Sequence, residues 1–200
     1  MKKLIVVIVA ACTVQTALVK AQEVTASLDE ALSSYQSNQL EDARFALQGA
    51  LMGINQAIGR EILALLPDAM NSMPKVESED DAMGINTGFA GLFINRSYTA
   101  ESKRASIEIV SDSPMLAGIN AILAMPGFMT ADENQKRIKI HGYKALLTRN
   151  ADGEGAVSYD VQIPFSGSLL TFQCTGIESE NEVIGMANTI PVDEIAGITR

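Results

Sequence analysis

The 200-residue chain holds one histidine, His141, in "IKIHGYK". An imidazole can act as a general base beside a nucleophile or as one ligand of a metal, but neither role works alone. A hydrolase triad needs a nucleophile and an orienting carboxylate, and a zinc site needs three or four ligands. No H-x-x-x-H, C-x-x-C or G-x-S-x-G spacing occurs. Strand alternation sets His141 with Lys139 and Tyr143, opposite Ile138 and Ile140, so it reads as a residue on the polar side of a strand. A hydrolase-type enzyme using His141 is the alternative.

Other reactive groups are equally isolated. Ser166 and Ser168 flank Gly167 in "FSGSL", which has the composition of a turn rather than of a nucleophile's seat. Glu77, Glu79, Asp80 and Asp81 offer the oxygen ligands that calcium takes, without the alternating spacing of a calcium loop; a solvated charge cluster is the plain reading. "GLFINRS" and "GINAILAMPG" lack both the spacing and the lysine of a phosphate loop. The sequence therefore assigns no catalytic, cofactor-binding or metal-ligating residue, and the function expected from it is non-enzymatic.

The start of the chain reads as a targeting signal. Lys2 and Lys3 precede the apolar core "LIVVIVAAC", and Val19 and Ala21 suit a cleavage site after Ala21. The alternative is a lipoprotein acylated at Cys12, since "VAAC" resembles a lipobox. Either way the expected location is outside the cytoplasm, periplasmic or secreted, with no transmembrane helix in the mature chain. The net charge is −9; loss of Lys2, Lys3 and Lys20 leaves 12 basic against 24 acidic residues, or −12. So acidic a chain is a poor partner for nucleic acid or an anionic membrane. Cleavage leaves Cys174, in the apolar run "LLTFQCTG", as the one cysteine, which excludes an intrachain disulfide and reads as a buried small hydrophobe.

Beyond residues 1–21 the period of the sequence changes once. Residues 22–66 are helical in pattern. Ser27 with Glu30 and Asn38 with Glu41 look like helix starts. A short helix near 28–37 carries Leu28, Ala31, Leu32 and Tyr35 on one face. A long one carries Leu40, Ala43, Leu47, Leu51, Ile54, Ile58, Ile62 and Leu65 and ends at Pro67. The long helix also accepts Gly49, Gly53 and Gly59, each costing about 1 kcal/mol relative to alanine. Ala46, Gly49, Ala50, Gly53 and Ala57 make a stripe of small residues that permits close approach of another helix. The first helix and a partner helix, from a second copy or another protein, both suit that stripe.

Residues 67–87, with two prolines and the acidic run, read as a linker. Residues 88–200 read as mixed α and β. Two strands come first, "GLFINRSYTA" and "RASIEIVSD". A helix follows in "SPMLAGINAILAM", capped by Asp112 or Ser113. Three more strands come next, "KRIKIHGYKALLTR", "GAVSYDVQIPF" and "SLLTFQCTG", the first two joined through Asp152-Gly153. "SENEVIGMANTI" closes the chain as a helix before "PVDEIAGI". The fold class expected is α+β: an N-terminal helical hairpin, then an antiparallel sheet with helices packed on one face.

"LALLP", "NRSYT", "SDSPMLAGINAIL" and "IKIHGYKALL" together resemble blocks of a family of uncharacterised exported bacterial proteins. Members of that family carry a Gly-Trp pair after the Leu-Pro; this chain has no tryptophan, and Gly88-Phe89 stands in that place. The resemblance implies export and a C-terminal part loosely similar to Mog1/PsbP-type folds. It implies no activity, because fold-level likeness assigns none. Two binding roles fit the residues. One is a protein contact on the helical hairpin, with a homo-oligomer among its forms. The other is carriage of a small apolar ligand in a groove formed by Met115, Leu116, Ile119, Ile122, Met125 and Phe128.

Overall fold

The computed structural model describes residues 22–82, 84–86, 90–125, 134–151 and 157–199. The leader with Cys12, the Gly88-Phe89 pair, Phe128 and the Asp152-Gly153 turn lie outside the described residues. The chain is α+β, as its patterning predicts: a two-helix hairpin followed by an antiparallel sheet with helices against it.

The hairpin consists of α1 (22–36) and α2 (Leu40–Leu65). Its turn differs from the expected one. Asn38 takes a left-handed conformation (φ 61°) and ends α1, with the Gln39 amide bonded back to the Ser34 carbonyl at 2.8 Å. Asparagine tolerates that conformation better than most residues, and this use of it displaces the capping role. Gln39 takes the N-cap position without a side-chain bond. Ser27 is likewise not a cap: α1 already runs through residue 22, and Ser27 lies inside it.

Among the described residues the sheet has seven strands in the order β3-β4-β5-β9-β8-β7-β6, all neighbours antiparallel. They are β3 (Gly84–Asn86), β4 (Ala90–Ala100), β5 (Lys103–Ser111), β6 (Gln135–Ile140), β7 (Tyr143–Ala151), β8 (Val157–Phe165) and β9 (Ser168–Thr175). "KRIKIHGYKALLTR" is two strands rather than one. His141 (φ 48°) and Gly142 (φ 84°) form a two-residue turn of the kind whose twist suits a hairpin. Ser166 (φ 43°) and Gly167 (φ 77°) make the corresponding turn between β8 and β9, as "FSGS" predicts.

Alternation sorts the strands' side chains onto two faces. Ile94 and Tyr98 of β4, Ile107 and Ile109 of β5, Tyr159, Val161 and Ile163 of β8, and Leu170 and Phe172 of β9 are all buried on one face. The last turns of α2, together with α4 (Glu180–Ala187) and α5 (Val192–Ile198), cover them through Ile62, Leu66, Val183, Met186, Ile195 and Ala196. Ser179 caps α4, its hydroxyl accepting from the Glu182 amide at 3.4 Å. The remaining helix, α3 (Leu116–Ala124), sits on the opposite face, where Ile119 and Leu123 meet Leu146 and Leu169 in a small separate cluster. It starts later than the sequence suggests, with Met115 at the N-cap position and the Ser113 hydroxyl accepting from the Met115 amide at 3.3 Å.

The segment expected as a linker is built into the fold. Residues 69–70 (β1) pair with 73–74 (β2), the β1 and β2 strands of a tiny hairpin, and a single 3-10 turn spans Glu77–Glu79. The chain then runs along β4, with Lys75 opposite Tyr98 and Asp81 exchanging both backbone bonds with Asn95 (2.9 and 2.8 Å). What reads as an acidic, aperiodic stretch is an irregular continuation of the sheet's edge.

Candidate functional site

The junction between hairpin and sheet contains the most concentrated polar network. Arg96 of β4 is almost fully buried. Its Nε and Nη2 donate to the two oxygens of Asp80 (2.9 and 2.5 Å), and its Nη1 donates to the Leu66 carbonyl at 2.9 Å. Two residues on, the Tyr98 hydroxyl donates to the Pro67 carbonyl at 2.9 Å. A helix end leaves carbonyls without partners, and these two side chains satisfy the pair that follows α2. The Asp80 carboxylate holds Arg96 firmly in its charged form, and burial pushes the Tyr98 phenol well above its ordinary range. "LALLP" and "NRSYT", far apart in sequence, are thus the two halves of one clasp. Arg96 is engaged by both Asp80 oxygens and the Leu66 carbonyl, and Tyr98 by the Pro67 carbonyl, which is the arrangement of a structural joint.

Beside it, Ser78, Glu79, Asp80, Asp81, Phe93 and Asn95 line an open notch. Asp80 is committed to Arg96, and the Glu79 carbonyl accepts from Asn95 Nδ2 at 3.2 Å. Among the described residues, no three His, Cys, Asp or Glu side chains converge as a metal ion would require.

His141 is exposed in its turn rather than on a strand face, and its Nε2 lies 2.8 Å from the Asn188 carbonyl oxygen. A carbonyl is an acceptor, so that nitrogen carries a proton and ties the β6–β7 turn to the end of α4. The turn with Ser166 lies at the same end of the sheet, and Tyr143 and Phe165 meet edge to face (6.5 Å, 78°) at the bases of the two turns. Cys174 is buried in β9, and burial pushes its thiol up to about 12, so the nucleophilic thiolate is suppressed at neutral pH.

The proposed groove residues divide. Ile119 is buried, Leu116 and Ile122 are half-buried against the same cluster, and Met115 and Met125 are exposed at the two ends of α3. Arg137 donates to the Ile122 carbonyl at 3.0 Å and also to that of Met125, closing the helix end. A shallow cleft at its side mixes Asn120 and Lys144 with Leu123, Ala124 and Pro164.

The hairpin is different in kind. Its helices meet through small residues: Ala31 and Ser34 of α1 and Ala43, Ala46 and Ala50 of α2 are buried. A methyl at Gly53 would lie 2.5 Å from Val24 Cγ2, and one at Gly49 would lie 3.6 Å from Ser27 Oγ. Gly59 serves another contact: a methyl there would lie 2.7 Å from the Ala82 Cβ, so the chain that edges the sheet presses on the helix. Of the small stripe, Ala46, Gly49, Ala50 and Gly53 therefore belong to the α1–α2 seam, whereas Ala57 is exposed.

The large residues point elsewhere. Six large side chains follow a seam residue by one position, Ser27-Leu28, Ala31-Leu32 and Ser34-Tyr35, then Ala46-Leu47, Ala50-Leu51 and Gly53-Ile54, whereas Phe45, 76% exposed, precedes Ala46 and lies on the other side. One residue is a rotation of about 100° about the helix axis, and in an antiparallel pair the same rotation from the seam leads to the same side. Leu28, Leu32, Tyr35, Leu40, Leu47, Leu51 and Ile54 accordingly share one face of the hairpin, each 38% to 68% exposed. The α2 stripe continues into Ile58, Ile62 and Leu65, which pack on the sheet's core. One stripe thus has a covered half and an uncovered half. Sequence periodicity finds this stripe but cannot say that the sheet stops short of its first four turns.

No protein-family model, curated protein or solved structure matches the chain. The described helices include none long and apolar enough to cross a membrane.

Proposed function

We propose that the chain is an exported, non-enzymatic accessory module that works by docking a protein on the apolar face of its α1–α2 hairpin. The observation that carries this reading is the exposed face itself. Seven large apolar side chains on one side of two helices expose on the order of 600 Å², the top of the range an ordinary monomer leaves bare and a size that is often functional. The reactive groups support it from the other direction: His141, Asp80 and Cys174 are each engaged in holding the fold. Export rests on the basic and apolar start of the sequence with small residues at Val19 and Ala21.

The test is performed in cells on the chain expressed with residues 1–21 in place. A photoreactive residue at Leu32 or Leu47 is expected to give a discrete protein adduct that Leu51→Glu abolishes, while the same residue at Glu108, on the sheet, gives none. Absence of any adduct from the hairpin positions overturns docking. Intact mass of the recovered protein reads the export step: a chain starting at Gln22 supports cleavage after Ala21, a lipid-bearing Cys12 supports the lipoprotein form, and retention of residues 1–21 overturns export.

A further inference from the structure

We infer that the occupant of the hairpin face is a second copy of the chain, so that two hairpins close face to face into a four-helix bundle; this rests on the docking reading above. The exposed stripes have the spacing of a helix-to-helix seam. On α2, Leu40, Arg44, Leu47, Leu51, Ile54 and Ile58 advance by alternating steps of four and three, and Leu28, Leu32 and Tyr35 do the same on α1. That alternation keeps a row of knobs on the line where another helix supplies holes. The same steps continue through Ile62 and Leu65, which the sheet's core covers, so the register marks the stripe as a packing face and area and charge decide what covers its free half.

The hairpin is also half of a bundle in its construction. An antiparallel helix pair that buries its small residues between its own members and turns its exposed large ones, Phe45 excepted, to one side has an uncovered apolar layer. An identical layer supplies what is missing, and a twofold axis makes the two complementary by construction, since every residue offered is also accepted. The area agrees. On the order of 600 Å² of apolar surface per copy, with the polar rims of two helices added, reaches the roughly 800 Å² per partner of a stable interface. Charge agrees as well. Without residues 1–21 the chain carries 12 basic against 24 acidic residues, or −12, which drives copies apart, yet the stripe positions contain no carboxylate and one cation, Arg44. The hairpin face is where two copies approach without setting acids against acids.

The experiment is sedimentation velocity on the protein recovered from the periplasm after expression of the full chain, from about 1 to about 100 µM. A species of twice the chain mass is expected, and Leu47→Glu with Leu51→Glu is expected to weaken it at least about 100-fold. Both positions are exposed, so circular dichroism should show an unchanged fold; Leu32→Glu on the other helix is the second variant and should act alike. A dimer that survives all three substitutions overturns the proposal. A monomer whose Leu47 photoreactive form attaches to a different protein overturns self-pairing and leaves the docking reading standing. A monomer with no adduct overturns both.

Discussion

Arg96 and Asp80 form a two-bonded ion pair, Nε to Oδ1 at 2.9 Å and Nη2 to Oδ2 at 2.5 Å, that fastens the irregular edge segment to β4. Both side chains are largely shielded, at 5% and 19% exposure, so this pair differs from a surface bridge that salt would screen. Asp80→Ala leaves a buried guanidinium with the Leu66 carbonyl as its acceptor at the junction. The expected loss is about 3 kcal/mol by urea denaturation, because removing one partner exposes the desolvation cost of the other. A loss under about 0.5 kcal/mol would reduce the clasp to the standing of an exposed pair.

The glycines separate by what surrounds them. Gly59→Ala drives a methyl against the Ala82 Cβ and to 3.3 Å from its Cα, and should cost about 1–3 kcal/mol despite better helix propensity. Gly118 in α3 has nothing within 4 Å of the same position, so Gly118→Ala should gain up to about 1 kcal/mol. Thermal melts of the two variants, shifting in opposite directions, check the contact.

Alkaline pH should erode stability in a defined order. Cys174 and Tyr98 are acids whose pKa values burial raises in the folded state, so the unfolded chain releases these protons first. Their contribution is fully present below about pH 8.5, the ordinary thiol range, and declines above it, with a further decline above about pH 10 as unfolded phenol ionises. Each group adds a slope approaching about 1.4 kcal/mol per pH unit. Cys174→Ala should flatten the curve from about pH 8.5 to 10 and leave the later fall. The native thiol should also resist alkylation at neutral pH.

His141 is held at φ 48° with its Nε2 on the Asn188 carbonyl. Asparagine accepts that backbone and valine does not. His141→Asn should stay near the parent stability, and His141→Val should lose about 1–2 kcal/mol. Equal losses in the two variants would move the residue's importance from the backbone to the imidazole.

The sequence made some of these relationships readable. The strands β8 and β9, the Ser166-Gly167 turn and the existence of α4 follow from periodicity and turn chemistry, which are local properties. The clasp was not legible, because nothing local in "LALLP" or "NRSYT" says that Arg96 reaches the Leu66 carbonyl. His141-Gly142 was hidden because histidine at a left-handed turn position is uncommon, and the flanking isoleucines continue a strand pattern across it. In the hairpin, the small stripe identifies the seam. Which half of the large stripe is covered depends on where β3 and β4 end, a tertiary fact that periodicity does not carry.

The pairing of β5 with β9 joins residues 104–111 to 168–175, and β5 also pairs with β4. The middle of the sheet therefore cannot close until the last third of the chain has arrived, whereas the hairpin needs only neighbours in sequence. A chain delivered from its N-terminus has helices long before it has a sheet. Until β4 and then α5 are in place, Ile58, Ile62 and Leu65 are as bare as Leu47 and Leu51 are in the folded chain, and the whole length of α2 is an apolar rod. The covered end of the rod packs against β3, β4 and α5, so its cover is complete only when α5 arrives, and the other end stays exposed in the folded chain.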